Sequence, residues 1–381
     1  MTALTRESRI RACLLGGAIG DALGAPVEFM SGGAIEERFG RGGVRTFQPM
    51  FSSGVEQIGL ITDDTQMTLF TVEGIIRATN RMNQRCIGFT NGVIHHAYLR
   101  WADTQIHAAP VAKDGWLIGQ QWLYARRAPG LTCLSALEGG TKAVERYGDH
   151  AVNDSKGCGG VMRSAPFGWL SNRDNHDWIY EQACQAASYT HGHPTGQVAS
   201  GALAYLIARI MDGDELLRAL QSTTDFLQEQ ENTEETLDAL GKGIQLSMHG
   251  AISRQDLESI GGGWIAEEAL AIGVYAALSY PDKGQATDAL SFAVSHGGDS
   301  DSTGSICGNI LGALHGETWL PAELAFQVEG RGAMLELADD FIYAIRDGAT
   351  PKSEYMSAAE AAIRPDGLMD TQAWVERYPV G

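Results

Sequence analysis

Apolar residues along this chain recur at the three- and four-residue spacing of one helical face far more often than they alternate. Met67, Phe70, Ile75 and Ile76 set that period in Met67–Ala78. The same period predicts helices over Gly92–Trp101, Leu134–Arg146, Trp178–Tyr189, Gln197–Met211, Glu234–Met248, Ala266–Ser279 and Ala333–Ile345. Strand-like alternation is scarce, and Val44–Phe47 is its best short stretch. Strands and helices do not take turns in the way that builds a parallel sheet, and no repeat of fixed period or long linker interrupts the chain. The pattern predicts one mostly helical domain.

Two further helices carry glycine inside the period. Ile10, Cys13, Leu14 and Ala18 mark the first, with Gly16, Gly20 and Gly24 as a four-residue stripe. Gly304, Gly308, Gly312 and Gly316 form a second stripe among Ile306, Ile310, Leu311 and Leu314. Each interior glycine costs about 1 kcal/mol of helix propensity relative to alanine. That cost makes sense where a helix backbone must approach a neighbour closely, so the two stripes are expected side by side in the core.

Composition narrows the class. With 44% hydrophobic and 20% charged residues the chain can bury a sizeable core, which rules out disorder. No apolar run approaches the ~18 uninterrupted residues of a membrane span. The net charge of −19 repels nucleic-acid backbone, whose binding depends on Lys and Arg neutralising phosphates. No nucleic-acid or membrane partner is expected, while carboxylates in such excess are able to hold hard cations. Residues 212–258 hold eleven Asp and Glu against three Lys and Arg, which reads as a solvated helical face or a docking face for a basic partner.

Six cysteines (Cys13, Cys86, Cys133, Cys158, Cys184 and Cys307) lie far apart without CxxC spacing, the signature of scattered reduced thiols. The apolar run Ala12–Gly20 follows Arg9 and Arg11 as in a signal peptide. Glu7 before it, Asp21 at its end and its glycines argue against secretion, so a cytoplasmic protein is expected.

Four short motifs carry candidate chemistry. Thr62-Asp63-Asp64-Thr65 opens a helix; it reads as a cap with acidic residues at the positive end of the helix dipole, or as a compact set of oxygen ligands. His296-Gly297-Gly298-Asp299-Ser300-Asp301-Ser302-Thr303 precedes another apolar helix and presents hard oxygens suited to magnesium or manganese. An EF-hand loop starting at Asp299 needs Glu where Ile310 stands. A phosphatase-type Asp-x-Asp-x-Thr should follow a buried strand directly, whereas His296-Gly297-Gly298 intervenes. Gly157-Cys158-Gly159-Gly160-Val161-Met162-Arg163 is a glycine-rich turn able to aim backbone N–H groups at a phosphate, without Walker spacing. Thr190-His191-Gly192-His193-Pro194 offers two histidines, as ligand contacts or as cap and core residues.

Together with Gly16-Gly17-Ala18-Ile19-Gly20-Asp21-Ala22-Leu23-Gly24-Ala25-Pro26-Val27-Glu28, these motifs stand in the order found in the ADP-ribosylglycohydrolases, a family that includes the ADP-ribosylarginine hydrolases. The chain resembles that family from about residue 9 to about residue 340. The resemblance implies an all-α orthogonal multi-helix bundle in a single domain, taken as 1–345, with 346–381 a C-terminal extension of unknown role. It implies two Mg2+ or Mn2+ ions. Thr62, Asp63, Asp64 and Asp301 correspond to the ligands of one, and Asp299, Asp301, Ser302 and Glu28 to those of the other, with Asp301 bridging. The family usually has Thr where Ser302 stands, and the hydroxyl is kept. Gly157, Cys158, Gly159, Gly160 and His191 are similar to positions that line the ADP-ribose site.

The activity so implied is metal-dependent removal of ADP-ribose from a protein side chain, arginine foremost. Asp63, Asp64, Asp299 or Glu28 would act as the proton acceptor. Two alternatives follow from the same resemblance: an immunity protein against an ADP-ribosyltransferase toxin, and a non-catalytic ADP-ribose-binding member.

Overall fold

The computed structural model describes residues 4–380 except 53, 86–87, 90, 111–113, 143–147, 250–251 and 346–370. In chain order it begins with α1 (Arg6–Gly24), α2 (Gly32–Phe39), β1 (Met50–Ser52), β2 (Val55–Gln57), α3 (Asp63–Arg85), α4 (Gly92–Ile106) and α5 (Leu131–Ala136). There follow α6 (Ala165–Gly168), α7 (His176–Ser188), α8 (Pro194–Met211), α9 (Leu216–Leu227), α10 (Glu234–Met248), α11 (Arg254–Ile260) and α12 (Ala266–Ser279). The last are α13 (Ala286–Val294), α14 (Ser300–His315), α15 (Ala322–Gln327), α16 (Arg331–Ile345) and α17 (Thr371–Arg377). β1 and β2 form an antiparallel hairpin with Phe51 opposite Glu56, the only sheet among the described residues.

The all-α expectation holds, and the helical period locates most of the long elements. α10 and α12 begin and end where the pattern places them. α3 runs further, because its polar residues Arg77, Thr79 and Asn80 are themselves buried and so do not mark a helix end. Two expectations fail. Leu134–Arg146 is not one helix: α5 stops at Ala136, and Gly139 and Gly140 take positive φ (92° and 54°), which breaks a right-handed helix. The remainder of that stretch, 143–147, lies outside the described residues. Val44–Phe47 is not a strand either. Val44 and Phe47 are buried anchors of a loop, and the Val44 amide bonds to the Ser295 hydroxyl (2.9 Å) rather than to a neighbouring strand.

α1 and α14 pack more extensively than any other pair, with α1 also touching α16, α13 and α3. The stripes face one another as expected: a β-carbon on Gly308 would lie 2.9 Å from the Gly17 amide, and one on Gly304 2.6 Å from the Gly20 carbonyl oxygen. At the end of the contact, Gly24 lies against the backbone of Ser300 and Asp301. α1 is long and apolar enough to cross a bilayer by length and composition, but 89% of that stretch is buried inside the bundle, which accounts for its apolarity. The helix also continues past the apolar run, so that Asp21 is fully buried within it.

One large apolar cluster spans most helices, and a small one under α10–α12 groups Leu257, Ile260, Ala271, Ile272 and Tyr275. Most of the C-terminal extension, 346–370, lies outside the described residues. Its end does not: α17 buries Trp374 and Tyr378, and Tyr378 donates to Asp340 of α16 (2.6 Å). The acidic stretch is partly tied down rather than wholly solvated. Asp212 meets His176 (2.7 Å), Asp214 pairs with Arg209, Glu235 with Lys156 (2.8 Å) and Glu258 with Arg254 (3.0 Å). The five described cysteines are free thiols, and Cys86 lies outside the described residues.

Candidate metal centre and glycine turn

Three chain segments bring acidic residues together. The first is the end of α1 and the 3-10 turn Ala25–Val27 after it, which carry Asp21 and Glu28. The second is the first turn of α3, with Asp63 and Asp64 just after Thr62. The third is the start of α14, where Asp299 is the N-cap and Asp301 and Ser302 follow. Glycine decides the geometry. With Gly24 against Ser300 and Asp301, the α1 backbone reaches the N-terminus of α14 itself. Residues more than 270 positions apart thereby join one centre.

All eight side chains are buried, from 0% exposure at Asp21 to 8% at Glu28. Their hydrogen bonds interlock. The Ser302 hydroxyl donates to Asp64 Oδ1 (2.9 Å), the Cys158 thiol to Asp299 Oδ2 (2.8 Å) and the Gly130 amide to Asp63 Oδ2 (3.3 Å). The Ser302 amide is shared by Asp301 Oδ1 (3.0 Å) and Asp299 Oδ1 (3.3 Å). Both cap readings are therefore realised together with the cluster: Asp299 caps α14, and Thr62 Oγ1 accepts from the Asp64 amide (3.3 Å). Among the described residues, Glu28 alone of the six carboxylates has no hydrogen-bond partner.

Burial raises every one of these carboxyls, because desolvation penalises the charged form. It pushes Asp21 up to about 7 and, with repulsion from Asp301, Asp63 and Asp21, Glu28 up to about 9. Asp63, Asp64 and Asp299 are held well above the usual carboxylate range by burial, then by Asp301. Asp301 is itself raised by burial. It is the neighbour with the largest electrostatic effect on each of the other five, which makes it the hub of the cluster. No lysine or arginine is among the main influences on any of the six.

A buried anionic cluster without a basic partner needs protons or a cation for charge balance. The donors are hard carboxylate and hydroxyl oxygens, the set that Mg2+ and Mn2+ take, so the residues fit such ions by chemistry. Among the described residues no three His, Cys, Asp or Glu side chains stand, as placed, where together they could hold a metal ion. The carboxylates are held to Thr62, Ser302, Cys158 and Gly130 instead. Two cavities, of about 550 Å3 beside Arg6, Phe89 and Trp178 and about 620 Å3 beside Arg41, Arg45 and Arg254, include no residue of the cluster.

The glycine turn borders the centre through Cys158. Gly157 forms an isolated antiparallel bridge with Ile265, and the Cys158 amide donates to the Trp264 carbonyl (3.2 Å). Lys156 anchors the turn from below, donating to Glu235 (2.8 Å) and Glu267 (2.6 Å). His191 lies against it: a β-carbon on Gly159 would be 3.0 Å from the imidazole, and one on Gly160 would be 2.9 Å from Ser200 Oγ. Burial and the nearby Arg163 push His191 down to about 3, so its ring is neutral. Its Nδ1 meets Thr190 Oγ1 (2.8 Å), which also accepts from Arg163 (2.7 Å). His193 instead caps α8, accepting from the Thr195 amide.

The candidate ligands thus fall at the centre and Gly157–Gly160 and His191 on the turn beside it, whereas His193 caps α8 and His296 meets Thr303 Oγ1 (2.9 Å). Two features escaped the sequence reading. Asp21 was the end of an apolar run there, yet it holds Thr62 and Thr65. The thiol link from Cys158 to Asp299 spans 141 positions and has no local signal. The Gly20-Asp21 pair inside the striped helix was the available hint for the first.

A sequence profile described as ADP-ribosylglycohydrolase matches residues 2–351. The chain is 26% identical over 321 residues to an uncharacterized protein of Archaeoglobus fulgidus, covering 81% of this chain and 88% of that one. It is 24% identical over 333 residues to the ADP-ribosyl-[dinitrogen reductase] glycohydrolase of Rhodospirillum rubrum, covering 84% and 90%. A solved structure titled ADP-ribosylglycohydrolase-related protein complex superposes with a TM-score of 0.63 at 24% identity, covering 90% of this chain and 99% of that one. That likeness shows the fold.

Proposed function

Since the chain belongs to the ADP-ribosylglycohydrolase family, whose profile spans residues 2–351, we propose that it removes ADP-ribose from modified protein side chains, arginine foremost, at a dinuclear Mg2+ or Mn2+ centre. The observation that carries this reading is the buried carboxylate cluster organised around Asp301 with no basic side chain to balance it. Thr62, Asp63, Asp64 and Asp301 would hold one ion, and Asp299, Asp301, Ser302 and Glu28 the other. Two bound divalent cations supply positive charge that polarises ribose hydroxyls and lowers the pKa of water.

The chain's own residues do the rest. Of the turn Gly157–Gly160, Gly159 and Gly160 would offer backbone N–H groups to the diphosphate, since the Gly157 and Cys158 amides are taken by Ser155 Oγ (3.3 Å) and the Trp264 carbonyl (3.2 Å), and the neutral His191 packs against that turn without adding charge. Glu28, the most exposed of the six, would take the proton of the attacking water once bound cations offset the burial and the repulsion from Asp301, Asp63 and Asp21 that otherwise keep it protonated. The water oxygen bonds to the anomeric carbon and the N-glycosidic bond breaks. Its electron pair stays on the guanidine nitrogen, and that nitrogen receives the proton. The protein works in the cytoplasm in this reading, supported by the five free thiols.

Action as immunity against an ADP-ribosyltransferase toxin is compatible with the same chemistry. A purely ADP-ribose-binding role is disfavoured, because every acidic position of the centre is filled. Incubation with arginine- and serine-linked ADP-ribosylated proteins, with and without Mg2+, tests the proposal. Release of ADP-ribose from the arginine-linked substrate only with the ion supports it; release from neither substrate overturns it.

A further inference from the structure

Asp21 is the one carboxylate of the cluster whose oxygens are fully engaged by hydroxyls and amides of a different helix. Its Oδ1 accepts from the Thr62 hydroxyl (2.8 Å), and its two oxygens share the Thr62 amide (3.0 and 3.1 Å). Its Oδ2 further accepts from the Thr65 amide (3.1 Å) and the Thr65 hydroxyl (2.5 Å). The carboxylate caps α3 from α1, 41 positions earlier in the chain, and is completely buried where it does so. Such a cap serves the orphan amides of a helix start as a local Ser or Asp would, but ties them to another element.

We propose that Asp21 is a positioning residue, which draws the single hydroxyl proton of Thr62 to itself, so that Thr62 offers only lone pairs to the acidic centre. The inference rests on the reading of that centre as a cation site. A threonine hydroxyl has one proton and two lone pairs. Three carboxylates lie within reach of the proton of Thr62, Asp21 at 2.8 Å, Asp64 at 3.4 Å and Asp301, and the short contact to Asp21 takes it. One lone pair then accepts the Asp64 amide and the other remains for a cation. With the proton turned toward Asp64 instead, Thr62 would be a donor and would cover an oxygen that Asp64 needs as a ligand. Thr65 completes the arrangement, since its amide and hydroxyl hold Asp21 in the orientation that receives Thr62. Partners of this kind behind metal ligands typically contribute about 10–100-fold in affinity.

Calorimetric titration of the metal-free full-length protein with Mn2+ alone tests the proposal. Asp21→Asn replaces one acceptor oxygen by a donor, and we expect about tenfold weaker Mn2+ binding at one of two sites, with the helical circular dichroism retained. Thr65→Val, which keeps the side-chain shape, should give a smaller loss in the same direction, and it serves if Asp21→Asn does not fold. The decisive comparison is a cycle with Thr62→Ala. If Asp21 acts by orienting the hydroxyl, Asp21→Asn adds little once that hydroxyl is gone; if Asp21 merely braces α3, the two losses multiply. Unchanged Mn2+ affinity in both Asp21→Asn and Thr65→Val, or multiplying losses in the cycle, overturns the proposal. Absence of Mn2+ binding by the unaltered protein refutes the cation-site reading itself, and this inference with it.

Discussion

Gly20 and Gly304 meet backbone to backbone, so that a β-carbon on Gly304 would sit 2.6 Å from the Gly20 carbonyl oxygen. The contact repeats at Gly16–Gly308 one turn away, and at the other end Gly24 reaches the backbone of Ser300 and Asp301. It sets the height at which Asp21 and Glu28 stand relative to Asp301. Helix packing and the acidic centre are one arrangement, and several measurable consequences follow from it.

Because the close neighbour of Gly308 is backbone, it cannot swing aside. Gly308→Ala should lower stability by at least the ~1–3 kcal/mol typical of overpacking. Gly241 in α10 has nothing within 4 Å of a β-carbon, so Gly241→Ala should raise stability by about 0.4–1 kcal/mol. Urea unfolding of the two variants separates the cases, and equal midpoints would contradict the close approach.

Asp301 acts on every other carboxylate of the centre, whereas Ser302 touches Asp64 through one hydroxyl. Asp301→Asn should therefore weaken Mn2+ binding at both proposed sites by about tenfold or more, and Ser302→Ala mainly at one. Excess chelator should abolish hydrolysis and added Mg2+ or Mn2+ restore it. Full turnover in chelator would rule out the dinuclear centre.

His191 has a folded-state pKa of about 3, below its ordinary value of 6.5. Between those values the unfolded chain binds a proton that the folded protein refuses, so this stability is present above about 6.5 and lost as pH falls toward 3. His191→Asn should flatten that fall by up to ~1.4 kcal/mol per pH unit. Unfolding free energies at pH 7 and pH 5 give the comparison, and an unchanged slope would show that the ring is charged in the fold.

The Tyr378 hydroxyl reaches the buried Asp340, and the Arg377 guanidinium bonds the same carboxylate (2.8 Å) and lies 3.5 Å from the centre of the Trp116 ring. Tyr378→Phe removes a hydrogen bond to a charged group and should cost about 1.5–3 kcal/mol. Hydrogen exchange should show faster amide exchange in α16 and around Trp116 in that variant. Protection equal to the unaltered protein would mean that α17 does not brace the bundle.

The period of apolar residues already contained α10 and α12 with their ends, and the four-residue glycine spacing contained the pairing of α1 with α14. It missed α9, whose Leu216, Leu220, Thr223 and Leu227 form a buried stripe inside a segment that reads as acidic and solvated. It also ran a helix through Gly139 and Gly140, because side-chain spacing carries no information about the positive φ those residues adopt. At the centre, Thr62, Asp63, Asp64, Asp299, Asp301 and Ser302 stood in short motifs because hydroxyls and carboxylates crowd the starts of helices, whereas Glu28, which follows the 3-10 turn Ala25–Val27, was reached only through the family resemblance.

By itself the sequence determined the helical elements and which acidic motifs head them, since both depend on residues within a turn or two of one another. Only the tertiary structure decided how those motifs serve each other. Asp21 holds the Thr62 amide at the head of α3, 41 positions later, and the Cys158 thiol meets Asp299 across 141. Hydrogen bonds of a few ångströms between such distant positions exist only once the glycine-lined contact of α1 and α14 sets the distance between their ends, and no local pattern encodes that distance.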